Sequence, residues 1–379
     1  MFLIIFLLLN FSDANNQFGL KLFQSLISEK KENTFISPFS IFEAFLITYN
    51  GACGKTALAF KKSLFLEDFS LDSINKINKS LLENFKKEKD IILNIANGLF
   101  LRKKINNEKI KFKKNFLSIN KNYYESEIKR LDFDDQKTIE IINNWVKEKT
   151  EGKIERIIDK IKPLVVLYII NAIYFKGLWQ KKFENTFEDD FILEDKSKKK
   201  TTFMSQEGDF LYYEDESLQA IYLPYKNEKF GFYIFLPKEG YPLTKFISNL
   251  NYSDLKRYLS AFSQKEGEII IPKFKMEYEK VLNDILKNLN LSIAFDPKEA
   301  DFSKIAKVKP QNLYISEVKH KSYLEVTEEG TEAAAATSVE ISLTAVRERF
   351  KMFVNRPFLF LIAEKESNLF LFLGALFQP

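Results

Sequence analysis

Residues Glu328 to Leu343 read Glu-Glu-Gly-Thr-Glu-Ala-Ala-Ala-Ala-Thr-Ser-Val-Glu-Ile-Ser-Leu. From Thr331 on, the odd positions Thr331, Ala333, Ala335, Thr337, Val339, Ile341 and Leu343 are uncharged, whereas Glu332 and Glu340 fall on even positions. Successive side chains of a strand point to opposite faces, so such a segment can bury one face and leave the other in water. Four consecutive alanines nevertheless favour a helix, and the stretch has no proline. The segment can therefore be helical or irregular in one state and a strand in another. An ordinary surface helix with small side chains satisfies the same residues.

Other chemistry is limited by inventory. The chain has one cysteine, Cys53, and one histidine, His320, which excludes disulfide frameworks, Cys/His zinc sites and iron–sulfur centres. A Ser/His/Asp or Cys/His mechanism would have to be built around His320, and no Gly-x-Ser-x-Gly elbow accompanies it. Cys53, between Ala52 and Gly54, reads as a small buried apolar residue. Gly51-Ala-Cys-Gly54-Lys55-Thr56 looks like a phosphate loop, but that motif needs glycine five positions before Gly54, where Tyr49 stands. Lys+Arg 57 against Asp+Glu 52, net +5, is spread along the chain, so dedicated nucleic-acid binding is not indicated. Arg102-Lys103-Lys104 with Lys109, Lys111, Lys113 and Lys114, assisted by Lys198–Lys200, has the charge for a sulfated polysaccharide; a solvated helix face is the alternative.

The elements that must hold these residues follow from periodicity. With 379 residues, 45% of them hydrophobic, the chain can bury a large core without a metal or disulfide staple. Phe18, Leu22, Phe23 and Leu26 share a helical face, as do Leu81, Leu82 and Phe85, and Ile141, Trp145 and Val146. Strands are expected at Leu164–Phe175, Phe230–Leu236, Glu268–Ile271, Tyr323–Val326, Phe358–Ile362 and Leu369–Leu373. Helices first and non-local strands later imply an α+β fold with a substantial sheet, in one domain over residues 15–379. Phe2–Leu9 is unbroken apolar sequence and Ser12 and Ala14 have signal-peptidase spacing, so residues 1–14 read as a leader and the protein as secreted and extracellular. No later segment is a transmembrane candidate, and a leader this short does not span a bilayer, which takes ~20 residues. Triplets at Asn78, Asn251 and Asn290 fit N-glycosylation.

The Glu328–Thr337 stretch resembles the proximal hinge of an inhibitory serpin's reactive-centre loop, and family patterns run in order from Gln17 to Pro379. They are Asn33-Thr-Phe-Ile-Ser37-Pro38-Phe-Ser40, Asn171-Ala-Ile-Tyr-Phe-Lys-Gly177-Leu-Trp179, Ala300-Asp-Phe-Ser303, His320-Lys321, Arg356-Pro357-Phe358 and Phe372-Leu-Gly374. Leu289-Asn290 departs from the family's Leu-Gly, which bears on a helix end.

The resemblance implies the serpin fold, three β-sheets with about nine helices, and an exposed loop over about residues 328–349 that baits a serine protease. It implies a monomeric suicide inhibitor without cofactor, which traps the acyl-enzyme in a covalent one-to-one complex by inserting the cut loop into the main sheet. Glu328, Gly330, Thr331, Ala333, Ala334, Ala335, Ala336 and Thr337 would be the hinge. Ser37, Ser40, Asn171 and His320 would lie beneath the central strands where they part, and Glu328 would pair with Lys273 near Trp179 at the top of the sheet. Family spacing from Gly330 puts the scissile bond at Thr344–Ala345; counting back from a strand Phe350–Pro357 favours Leu343–Thr344, and Arg347 would suit a trypsin-like pocket. The rivals are a non-inhibitory serpin serving as carrier, chaperone or store, and a hydrolase using His320.

Overall fold

The computed structural model describes residues 2–88, 90–105, 108–163, 165–308, 312–331 and 349–379, with side chains from Phe6 on. The main sheet has six strands in the order Phe274–Val281, Lys319–Thr327, Gly330–Thr331, Leu167–Leu178, Ile91–Arg102 and Glu127–Leu131. A nine-stranded sheet runs from Thr34–Ile36 through Phe370–Leu376, Phe358–Glu364, Phe230–Pro237, Leu218–Pro224, Lys198–Glu214 and Ser263–Pro272 to Phe350–Phe353, with Asn185–Ile192 branching from Lys198–Glu214. A two-stranded ribbon, Lys104–Ile105 with Glu108–Lys109, is the third sheet, and the described residues form nine α-helices. The fold is the expected α+β.

Two helices sandwich the centre of the main sheet. Pro38–Tyr49 begins where the Ser37 hydroxyl accepts the Ser40 N–H and Pro38 supplies a preset first turn. Its sequence, Pro-Phe-Ser-Ile-Phe-Glu-Ala-Phe-Leu-Ile-Thr-Tyr, is apolar nearly all round, so the helix can only lie inside. On the opposite face, Ile142, Trp145 and Val146 of helix Lys137–Lys149 pack on Phe100, Ile170 and Ala172. The expected helical face is thus carried by Ile142; Ile141 is exposed.

The first half of the chain holds more strand than expected. Ile91–Arg102 pairs along its length with Leu167–Leu178, but Asn94 and Asn97-Gly98 interrupt the apolar pattern that would have marked it. Lys198–Glu214 opens with three lysines yet is a strand, because Lys198 and Lys200 pair with Asp190 across the ladder.

Three other expectations are corrected. Asn78 is buried, its amide donating to Glu43 Oε1 and the Tyr123 carbonyl, so it cannot carry a glycan in this fold, whereas Asn251 and Asn290 are exposed. Arg102 is buried, bonded to Asp134 and the Pro163 carbonyl, and Lys104 pairs with Asp132, so of that triplet only Lys103 is free for a polyanion among the described residues. Cys53 is half-buried rather than buried, and the Ser303 hydroxyl donates to its Sγ. Residues expected to form a leader run into helix Phe2–Glu29, where Phe6 and Leu9 are exposed and Phe11 and Ala14 buried, with the Phe11 ring 5.4 Å from Phe42. At the Leu289-Asn290 departure, Asn290 adopts φ +68°, doing the work of the missing glycine.

Candidate functional site

At its centre the main sheet holds a slot. Strand Leu167–Leu178 is hydrogen-bonded on one side to Ile91–Arg102, and strand Lys319–Thr327 on one side to Phe274–Val281. Between them, among the described residues, lies only the two-residue strand Gly330–Thr331, in the register Gly330↔Leu178, Thr331↔Gly177 and Val326↔Thr331, Thr327↔Gly330. Below Thr331 the two long strands share no ladder pair among the described residues. Two strand edges thus face each other without ladder hydrogen bonds between them, the arrangement that can accept an added strand.

The mouth of the slot is built from ion pairs and aromatics. Lys273 Nζ donates to Glu328 Oε1 at 2.8 Å. Partial burial pushes the Glu328 carboxyl up, but the hydrogen bond and charge of Lys273 together with a backbone N–H outweigh it and hold the carboxyl below its ordinary value. Trp179 donates its indole N–H to the Thr327 carbonyl at 2.9 Å and its backbone N–H to the Glu329 carbonyl at 3.0 Å, and its ring stacks on Tyr225 at 4.9 Å. Gly330 has φ +152°, and a Cβ there would stand 2.2 Å from the Gly177 carbonyl oxygen, so the chain can approach this closely only as glycine.

Deeper in the slot the lining turns polar. Ser37 donates its hydroxyl to the Leu371 carbonyl at 2.6 Å and its N–H to His320 Nε2 at 3.2 Å. Burial pulls the His320 pKa down to about 3, so the imidazole is neutral. The Ser40 hydroxyl donates to Asn171 Oδ1, and Asn171 Nδ2 donates to Asn97 Oδ1 at 2.6 Å. Asn97 and Asn171 are direct cross-strand partners. Neither Tyr225 nor Asn97 was picked out from sequence. Ser40, Asn171 and His320 of this cluster also line a cavity of about 240 Å³, whose apolar wall includes Ala44, Phe45, Phe302, Ile305, Val308 and Leu313.

The predicted residues Ser37, Ser40, Asn171 and His320 are thus brought together, and Glu328, Lys273 and Trp179 meet at the other end. Ala333, Ala334, Ala335, Ala336, Thr337, Leu343, Thr344, Ala345 and Arg347 lie outside the described residues. The described groups include no cluster of His, Cys, Asp and Glu that could hold a metal.

The family model Serpin (serine protease inhibitor) matches residues 13–379. Antithrombin-III of Mus musculus is 34% identical over 97% of this chain and 81% of that protein. Among solved structures, the thermophilic serpin tengpin in its native state is 34% identical, with TM-score 0.89 over 97% of this chain and 94% of its own. Thyroxine-binding globulin in complex with thyroxine is 26% identical, with TM-score 0.85 over 97% and 99%. Many members inhibit serine proteases, while thyroxine-binding globulin does not. A match running from residue 13 to the last residue leaves neither the sheet nor its slot outside the family: the chain belongs to the serpins.

Proposed function

We propose that the chain is a secreted, monomeric, single-use inhibitor of serine proteases, not a turnover enzyme. The observation that carries this reading is the lodging of Thr331 between the two central strands, fully buried beneath the sheet. Each further loop residue admitted in that register steps one residue back along both flanking strands. Ala333 then meets Phe175 and Leu324, Ala335 meets Ile173 and Ser322, and Thr337 arrives between Asn171 and His320. These flanking side chains line the inner face, where small or neutral side chains alone fit. Ala336 falls opposite Ala172, on the outer face covered by the Trp145 helix. Val339 and Ile341 would reach Ile169 and Leu167, which belong to the apolar part of the cavity lining. The alternation of the hinge and the lining of the slot agree position by position.

The protease's serine would attack the carbonyl of the scissile bond, at Thr344–Ala345 or else after Leu343 or Arg347, forming an ester and freeing the amine of the next residue. The ester-bearing loop then enters the slot faster than water releases it, and the protease is dragged out of catalytic register. Strands Phe358–Glu364 and Phe370–Leu376, on the far side of the cut, are buried in the second sheet and stay behind. Export is supported by the unbroken apolar run Phe2–Leu9 followed by small residues at Ser12 and Ala14. Lys103 with Lys109, Lys111, Lys113 and Lys114, all exposed, is the surface left for a sulfated polysaccharide.

The test is incubation with trypsin-, chymotrypsin- and elastase-like proteases. A denaturant-resistant one-to-one band is expected, and mass analysis of the C-terminal peptide locates the bond. Clean cleavage with no such band by any of them would overturn the inhibitory reading in favour of a carrier or store, and product beyond stoichiometry would point to a hydrolase.

A further inference from the structure

Glu43 is the one charged residue of helix Pro38–Tyr49, and it is fully buried. Its Oε1 accepts a hydrogen bond from Asn78 Nδ2 at 2.9 Å, but Glu43 Oε2 and Asn78 Oδ1 are both buried without a partner. No cation pairs with it among the described residues. The groups facing it are Asn78 from helix Leu71–Phe85, Asn97 and Asn171 from the two strands above, the Tyr124 phenol, and Glu125, whose charge repels it and which is itself paired with Lys86. A buried carboxylate without a cation is costly, and so is each orphaned oxygen. One proton removes all three costs: carried on Oε2, it would let the acid donate to Asn78 Oδ1 and close a two-bond acid–amide pair.

We propose that Glu43 is a proton-operated tie beneath the main sheet, which in its neutral form fastens helix Pro38–Tyr49 to Asn78 of helix Leu71–Phe85, under the strands bearing Asn97 and Asn171, and on losing its proton eases the parting of the sheet. Burial, opposed by the hydrogen bond from Asn78 and by the nearby side-chain amides of Asn97 and Asn171, pushes this carboxyl up to about 7, against 4.5 for the free side chain. A state in which the slot opens and water reaches Glu43 has the lower value. Opening therefore releases a proton between about pH 4.5 and 7, and becomes more favourable by up to about tenfold per pH unit across that window.

The inference rests on the slot being the part that moves, so its test uses the uncut chain without protease and stands apart from any measurement of inhibition. Hydrogen-exchange protection of strand Leu167–Leu178, corrected for intrinsic exchange, is measured from pH 5 to 8 in the wild type and in Glu43→Gln, which mimics the neutral acid by donating to Asn78 Oδ1. The ratio of opening, wild type over variant, should climb by up to about tenfold per unit and level off above pH 7. A ratio that stays constant with pH overturns the proposal. Infrared difference spectra of the wild type supply a second reading that needs no variant: a protonated carboxyl band must vanish on raising the pH through 7, and its absence at pH 6 overturns the proposal equally.

Discussion

The hydroxyl of Thr331 lies 2.7 Å from the hydroxyl of Tyr225, both buried, with the Tyr225 ring stacked on Trp179. Thr331, the start of the proposed hinge, is therefore seated on a polar partner inside the sheet in the uncut chain. Burial drives the Tyr225 phenol well above its ordinary pKa, so it stays neutral and can donate or accept. Replacing Thr331 with Arg would put a cation where no carboxylate waits, at a cost of several kcal/mol. Thr331→Arg should be cut at the wild-type rate yet form no resistant complex, and the cut form should melt no higher than the uncut one. Persistence of the covalent complex on a denaturing gel would refute this.

Gly330 makes a separate prediction. Gly330→Ala sets a methyl against the Gly177 carbonyl oxygen and carries a φ of +152° that alanine rarely adopts, a strain of roughly 1–3 kcal/mol. The hinge should leave the sheet and break the Trp179–Glu329 backbone bond. The expected readout is a red shift of tryptophan fluorescence and faster nicking by a non-target protease. Unchanged fluorescence and nicking would show that the strand tolerates the methyl.

The cavity beneath the slot gives a prediction that separates the two states. If Ile341 fills it after cleavage, Ile341→Ala should cost the cut form about 2–5 kcal/mol and the uncut form nothing measurable. Urea midpoints of both forms read this directly; equal losses in the two would place Ile341 elsewhere.

Much of this arrangement was legible in the residues. The strand parity of Thr331–Leu343 agrees with the structure at Thr331, the one residue of that run among the described residues, which is paired as a strand with both flanking strands. What escaped was held by contacts between distant segments. Asn97 reads locally as a turn, and only its pairing with Asn171 makes it part of a buried network. Tyr225 sits just past a strand end, with no local signal that its hydroxyl meets Thr331. Glu43 did carry a signal, a lone charge in a helix apolar on every side, and its burial follows from the same pattern that buries the helix. Arg102 misled in the opposite direction, since a basic triplet in sequence does not tell which guanidinium is turned inward onto Asp134.

His320 and Glu43 set opposing pH dependences on the uncut fold. The His320 value falls to about 3 from 6.5, so between these limits the unfolded chain binds one proton more than the native one, and stability rises with pH until about 6.5. The Glu43 value rises to about 7 from 4.5, so there the native state holds the extra proton, and stability falls as pH climbs from about 4.5 to 7. Each slope is at most roughly 1.4 kcal/mol per pH unit, and from about 4.5 to 6.5 they cancel. The wild type should accordingly show a nearly level urea midpoint across that window as far as these two groups act. His320→Gln, which still offers an acceptor to the Ser37 N–H, should uncover a midpoint that falls with rising pH, and Glu43→Gln one that rises. A level profile in either variant would mean that the group retained in it is solvated in the native molecule, and level profiles in both that neither group is held as described.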